Sequence, residues 1–127
     1  MNNFQALQSF WESFGITAYD EQTIFTDGQR PAYPHITYES FSGQWESRAT
    51  MSANLWNRST SWKWLKEKAE EIKNTISNGI TINVDDGIIW FCIPQYTPFA
   101  QVIASGSEDD LVKRILLNIE VEFLTVR

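Results

Sequence analysis

The feature that most constrains the fold is a change of hydrophobic period within residues 49–76. Residues 48–56 alternate small apolar with polar side chains, which is typical of a strand covered on one face. The covered face of that strand is Ala49, Met51, Ala53 and Leu55. After residue 61 the period becomes helical, and the apolar stripe is Leu65, Ala69, Ile72 and Ile76. The chain is therefore predicted to run from a half-covered strand directly into an amphipathic helix.

Polar residues and a glycine mark the two ends of this helix. Ser59, Thr60 and Ser61 each offer a side-chain oxygen that can cap a helix N-terminus. Trp62 extends the apolar stripe by one turn, and Gly79 follows the last apolar position, where helices commonly end. We therefore predict a helix that starts just after the serine-threonine run and closes at the glycine.

The N-terminal region predicts a shorter amphipathic helix. Its apolar stripe is Phe4, Leu7, Phe10, Trp11 and Phe14. Gly15 follows at the expected C-cap position. Residues 16–33 contain Asp27-Gly28 and end near Pro31 and Pro34, so we expect mostly loop there, with a brief extended piece at residues 23–26.

Two hairpins are predicted around the central helix. Residues 35–40 follow Pro34, which favours extended backbone, and they are expected to pair with residues 48–56 through a turn around Ser42-Gly43. Beyond the helix, residues 80–84 alternate and lead into Asp86-Gly87, a strong signal for a two-residue hairpin. The returning residues 88–93 are almost continuously apolar, so we expect a central strand covered on both faces.

The C-terminal part predicts two more strands. Residues 99–104 form a short apolar run, and a polar connection follows. The last segment alternates, with Ile115, Leu117, Ile119, Val121 and Phe123 facing one side and Asn118, Glu120 and Glu122 the other. This is the pattern of a long strand with one buried and one solvent-exposed face. The predicted order is helix, two strands, helix and then four strands.

Composition limits the classes of function. The length of 127 residues fits a single domain, and the net charge is -6, from 16 acidic and 10 basic residues. The basic residues are scattered except for Lys63, Lys66 and Lys68, and they form no basic face, so we expect no specific nucleic-acid binding. No apolar run approaches the roughly 20 residues that span a bilayer, so we expect no membrane contact and assembly in a cytoplasm.

The residues that usually carry chemistry are sparse. His35 is the only histidine and Cys92 the only cysteine, which excludes an internal disulfide and gives too few ligands for a tetrahedral metal site. We expect a structural or surface histidine and a buried, inert thiol. Asp85-Asp86 stands at a predicted hairpin tip, where turn formation explains it. We therefore predict no catalytic residue, no metal and no cofactor, and we do not expect an enzyme.

Two tryptophans are candidates for contacts with another protein. Trp64 lies beside the apolar stripe of the central helix, with the polar residues Lys68, Glu71 and Thr75 around it. It is either a rim residue folded over the core or an anchor facing another subunit. Trp45 lies in the predicted turn between two strands, where a large aromatic has little core to reach, so the same alternatives apply.

Charged residues give further candidates. Arg58 precedes the helix, where a cation opposes the helix dipole, so we expect a carboxylate partner within the chain or on a neighbouring subunit. Glu108, Asp109 and Asp110 precede an apolar strand and are either solvated or part of a contact between subunits.

The motif that ends the first long strand carries a family resemblance. It reads Leu55-Trp56-x-Arg58-Ser59-Thr60-Ser61-Trp62, and Pro34-His35-Ile36-Thr37-Tyr38 precedes it. With the helix, the hairpin and the closing strand, it resembles the tail-completion proteins of long-tailed phages and prophages of Gram-positive bacteria. These proteins are also called tail terminators or head-to-tail joining proteins. The resemblance covers nearly the whole chain, as one domain of residues 1–127.

The resemblance implies a fold and a role. The fold is α+β, a mixed, largely antiparallel sheet with two helices packed on one face, in the order α-β-β-α-β-β-β-β. The role is mechanical: a ring, expected as a hexamer, that caps the tail tube and joins it to the head connector. The implied partners are further copies of the chain, the tail tube protein and the head connector or stopper protein, and DNA passes through the ring unbound.

The implied location is the tail or neck of the virion, with assembly in the cytoplasm of the bacterial host. An alternative from another class is a small acidic inhibitor of the immunity type, which masks a basic cleft on a toxin. The net charge and the aromatic content suit both roles. A ring and a monomer differ in solution mass, which separates the two hypotheses.

Overall fold

A computed structural model describes residues 1–23, 25, 31–40 and 47–125. Within these residues the chain forms two helices and seven strands. In chain order they are α1 (Asn3–Glu12), β1 (Ala18–Asp20), β2 (His35–Tyr38), β3 (Ser47–Arg58), α2 (Lys63–Ile76), β4 (Ile80–Val84), β5 (Gly87–Cys92), β6 (Ala100–Ile103) and β7 (Val112–Thr125). The turns predicted at Asp27-Gly28 and Ser42-Gly43 lie outside the described residues.

The strands form one mixed sheet in the order β1-β2-β3-β7-β5-β4. β1 pairs with β2 in parallel, and the other pairs are antiparallel. The last strand, β7, lies in the middle of the sheet between β3 and β5. All of β3 pairs with it, from Ser47↔Phe123 to Arg58↔Val112. β5 and β6 share the opposite edge of β7, one on each half.

Both helices cover the same face of the sheet and close a single core. On β3 the inward residues Met51, Ala53 and Leu55 are at most 1% exposed, as the alternation predicts. The inward residues of β7 are at most 3% exposed, and they are Ile115, Leu117, Ile119, Val121 and Phe123. Burying each large apolar side chain contributes about 1.5–3 kcal/mol. The predicted α+β class, with a mixed, largely antiparallel sheet and two helices on one face, is confirmed.

The first helix begins with a capping box. The Asn2 side chain accepts a hydrogen bond from the Gln5 backbone, and the Gln5 side chain accepts one from the Asn2 backbone. The Phe10 ring stacks on Phe91 of the sheet, with centroids 4.0 Å apart. Phe4 was wrongly placed on the buried stripe: it is 52% exposed. The stripe is centred on Phe10 instead, so Phe4 falls beyond its edge.

The second helix buries the predicted stripe of Leu65, Ala69, Ile72 and Ile76. The N-cap is Trp62, which makes no side-chain cap bond, so none of the three predicted cap residues occupies that position. The Ser61 hydroxyl still accepts a hydrogen bond from the Lys63 backbone at 3.1 Å, which satisfies one free donor of the first turn. Gly79 has φ +83° after the helix. A Cβ at Gly79 would collide with the Trp90 indole, so glycine is required there for both conformation and space.

Two predictions about strands were wrong. The loop predicted at residues 16–33 contains β1, which exists because Ala18 lies opposite Ile36 of β2. In the expected extended piece, Thr23 and Phe25 are outside any strand, and residues 24 and 26 lie outside the described part. β5 was expected to be covered on both faces, but Ile88 and Trp90 are only half-buried, because the helices cover one face alone.

Candidate interaction surface

The sheet face opposite the helices carries a concave site where β2 and β3 lie beside the start of β7. Outward-facing side chains of these strands form it together with the segment before β2 and the loop before β7. The cavity has a volume of about 450 Å³. Its lining includes Tyr33, His35, Thr37, Trp56, Arg58 and Asp109, and it is called the aromatic pocket below.

Strand register explains the aromatic wall of this pocket. His35 and Trp56 are cross-strand partners in the antiparallel β2–β3 pair, so their side chains meet on one face. Their rings are nearly parallel, at 13° with centroids 6.1 Å apart. Tyr33 leans against the imidazole at 5.1 Å, and Tyr19 meets it edge-on at 5.9 Å. Three aromatic rings thus surround one imidazole.

His35 is the one titratable group buried in the wall of the pocket. It is 4% exposed, and its Nδ1 lies 3.2 Å from the Ala32 carbonyl oxygen. A carbonyl only accepts, so Nδ1 carries the proton and donates. Burial lowers the pKa of His35, although the bond to Ala32 acts in the opposite direction, so the ring is neutral near pH 7. Nε2 therefore presents a lone pair, and it has no hydrogen bond to any residue of the described ranges.

Polar contacts hold Trp56 in place. Its indole Nε1 donates to the Thr37 hydroxyl at 2.9 Å. The Arg114 guanidinium lies over the Trp56 ring at 5.5 Å and donates to the Ala104 carbonyl at 2.9 Å. The indole is thus held by its bond to Thr37 and by the Arg114 guanidinium, which the Ala104 carbonyl holds in turn.

An ion pair forms the rim of the pocket. The Arg58 Nε lies 2.8 Å from an Asp109 carboxylate oxygen, and both side chains are substantially exposed. Asp109 also accepts from the Leu111 backbone at 2.9 Å. The bond from Arg58, followed by that from Leu111, lowers the pKa of Asp109. Of the two alternatives for Arg58, the structure shows the partner within the chain.

The other predicted interface residues are divided between two regions. Glu108 and Asp110 are exposed in the loop that carries Asp109, beside the aromatic pocket. Trp64 is on α2, on the helix-covered side of the sheet, where it is half-buried and packs on the core. This is the position expected of a rim residue folded over the core. Trp45 lies outside the described residues. Roles of these residues in contacts between subunits stay predictions.

Sequence reasoning missed the pocket itself. The sequence predicts only a structural or surface histidine at His35, and Trp56 enters only as part of the motif at residues 55–62. The available signal was that the two predicted strands form a hairpin, which places some outward residues opposite each other. Without the loop conformation the register was unknown, so the pair His35 and Trp56 could not be identified.

The described residues hold no group of three or more His, Cys, Asp or Glu side chains placed to share a metal ion. Asp85 bonds to the amino group of Met1 at 2.7 Å. Cys92, predicted to be buried, is half-buried because it faces outward from β5. Burial first, and then the Glu120 carboxylate nearby, raise the pKa of its thiol. In the described part, neither helix has the length and apolar character needed to cross a bilayer.

Comparison with known proteins adds no assignment: no protein-family description, curated protein or solved structure matches this chain.

Proposed function

We propose that this chain is a structural assembly protein of a long-tailed phage or prophage. It caps the finished tail tube and joins it to the head connector as a ring, expected to be a hexamer. The observation that carries the proposal is the junction at residues 55–62. There the motif that resembles the tail-completion family links the 12-residue strand β3 to α2, which packs on the core.

The two flanks of the sheet support assembly into a ring. A ring needs two different surfaces on each subunit, because head-to-tail contacts close by rotation. One flank of this sheet ends at the three-residue strand β1, beside the aromatic pocket. The other flank presents β4 and the exposed strand β6, whose Val102 is 58% exposed. The subunit therefore has unlike lateral surfaces available for contact.

The charge balance supports a ring around DNA. The net charge is -6, from 16 acidic and 10 basic residues. A net negative charge repels the phosphate backbone, so DNA can pass without binding.

Tail-tube capping tests this proposal. The purified chain is added to the polymerising tail tube protein encoded in the same genome, with tube protein alone as the control. We expect negative-stain images to show rings at one tube end and tubes of limited length. A chain that neither binds tubes nor limits their length contradicts the proposal. A monomer that instead forms a one-to-one complex with a basic protein indicates the inhibitor class.

A further inference from the structure

Tyr96 protrudes from the domain on the flank away from the aromatic pocket. It is 89% exposed, the highest value among the large apolar side chains of the described part. Water solvates a phenol ring poorly, so such exposure often marks a contact site. Tyr96 stands in the connection between β5 and β6.

The loop that presents Tyr96 is anchored at both ends. Pro94 and Phe99 are buried on either side of it. The Asn118 side chain donates to the Pro98 carbonyl at 3.1 Å, and the Asn118 backbone donates to the Phe99 carbonyl at 2.7 Å. Asn118 is itself 5% exposed and accepts from the Ser52 hydroxyl. The tyrosine is thus presented by a loop tied to the central strand, which reduces the entropy lost when it binds.

The aromatic pocket offers a complementary site. In the described residues, Trp11 Nε1 is the one side-chain nitrogen or oxygen that is both sealed from solvent and unpaired. His35 Nε2, which has no hydrogen bond to a residue of the described ranges, is not such an atom, and His35 lines the pocket. A lone pair in an aromatic wall favours a flat ligand that carries one hydrogen-bond donor. The volume of about 450 Å³ is within the usual range for sites that hold small organic groups.

The positions of Tyr96 and the pocket favour contact between copies. The pocket lies at β2 and β3, which are on one side of β7. Tyr96 follows β5 and precedes β6, and both strands pair with the opposite edge of β7. A contact between Tyr96 and the pocket therefore joins unlike flanks of two subunits, which is the heterologous geometry of a ring.

We propose that Tyr96 of one copy inserts into the aromatic pocket of the next copy, where its hydroxyl donates to the His35 Nε2. The phenol ring packs against Tyr33 and Trp56. Arg58, at the rim, bonds to Asp109 through Nε, and its other guanidinium nitrogens have no partner within the described ranges. The ring-closing role of this contact rests on the proposed function, whereas the contact itself is tested without any tail tube.

Photo-cross-linking locates the contact directly. Tyr96→p-benzoylphenylalanine is mixed with isotope-labelled full-length chain, irradiated and digested for mass spectrometry. We expect adducts from position 96 to peptides of another copy that contain residues 33–37 or 56–58. The same reactive residue at Phe4, which is 52% exposed on α1, is the matched control and should not label those peptides. Adducts confined to other segments, or none, overturn the proposal.

Substitutions measure the contact by sedimentation of the full chain over a concentration series. Tyr96→Ala should weaken self-association by at least about 10-fold, as expected for an interface anchor. Tyr96→Phe, which removes only the donor, should weaken it by roughly 3–10-fold. Phe4→Ala should leave it unchanged, and the monomer melting temperature should not move in either Tyr96 variant, since that side chain is exposed. Unchanged self-association in Tyr96→Ala contradicts the contact.

Two results separate this contact from the proposed function. If wild-type chain forms rings on tubes and Tyr96→Ala does so equally well, the contact is wrong and the capping function stands. If wild-type copies cross-link through Tyr96 but do not bind tubes, the contact stands and the capping function is wrong. A wild-type chain that stays monomeric and gives no cross-link at any concentration overturns the contact.

Discussion

The two faces of the sheet differ in how far packing of the core explains their residues. The inner face is apolar and sealed by α1 and α2, and its residues are almost completely buried. The outer face has no helix over it and carries polar, charged and half-buried aromatic side chains, including Trp56 and Trp90. The buried apolar residues of the inner face are accounted for by the core. On the outer face, His35 Nε2 has no hydrogen bond within the described ranges and the aromatic pocket is open, so the capacity for binding is on that side.

The largest loss of stability should come from a charge placed on the helix-covered, buried side of the sheet. Leu65→Asp places an unpaired carboxylate beneath α2, where Leu65 is 0% exposed. We expect a loss of about 4 kcal/mol or more, enough to abolish cooperative unfolding in urea followed by circular dichroism. Lys66→Asp, one residue away on the exposed side, is the control and should stay close to wild type. Cooperative unfolding of Leu65→Asp would mean that a different helix face is buried.

Adjacent residues of β5 compare the two faces within one strand. Phe91 is 0% exposed and stacks on Phe10, whereas Trp90 faces outward and is half-buried under the Arg48 guanidinium. We expect Phe91→Ala to lower the free energy of unfolding by about 3–5 kcal/mol. Trp90→Ala should lower it by roughly 1–2 kcal/mol. Equal losses in urea denaturation would show that the outer face is as tightly packed as the inner one.

The variant Trp64→Ala tests the rim of the core on the helix-covered side of the sheet. Because it is half-buried and packs against the core, Trp64→Ala should lower the free energy of unfolding by about 1–2 kcal/mol. Thermal melting measures that loss, and sedimentation measures whether self-association changes with it. A melting temperature that does not move, together with weaker self-association, would instead make Trp64 an interface anchor.

His35 links stability to pH on the outer side. Its pKa in the folded chain is lowered by burial, so the neutral ring favours the fold. This contribution is complete above about pH 6.5, the value in an unfolded chain, and is lost as the pH falls toward the lower folded pKa. We expect the free energy of unfolding of wild type to decline in that window, and more steeply than that of His35→Gln. Parallel curves for the two proteins would contradict the lowered pKa.

The smallest effect concerns the exposed ion pair at the pocket rim. Arg58→Gln removes the main cause of the lowered Asp109 pKa, so an NMR titration should show that pKa rising toward its ordinary value. The melting temperature should hardly change, since both side chains are exposed to solvent. Lys63→Gln, which affects a cation paired with Glu67 on α2, should leave the Asp109 titration unchanged.

Elements whose signals are local were predicted well. The stripe of α2 follows from spacings of a few residues, and so does the β4–β5 hairpin, although its two-residue turn is Asp85-Asp86 and not the predicted Asp86-Gly87. The three-residue strand β1 was missed because it has too few residues for a period and exists only through its pairing with β2. The partial solvent exposure of the outer face of β5 was not predicted. Residues 88–93 are apolar on both faces, and such a run does not reveal which face a helix covers.

The candidate site was predicted only in part. Arg58 was singled out because a cation before a helix N-terminus needs a partner, and Asp109 was singled out as part of an acidic run. Their pairing joins residues 51 positions apart, which no local pattern encodes. The interface roles of Arg58, Trp64 and Glu108 to Asp110 stay predictions, as does that of Trp45, which is outside the described residues.

By itself the sequence determined the strand-to-helix junction, the buried stripe of α2 and the alternating faces of β3 and β7. These depend on the fixed periods of helix and strand, which act between near neighbours. Only the tertiary structure decided that His35 stacks on Trp56, that β5 and β6 share one edge of β7, and that Tyr96 and the pocket lie on opposite flanks. The free energy of closing a loop changes slowly with its length, so the sequence separation of two segments says little about whether they meet.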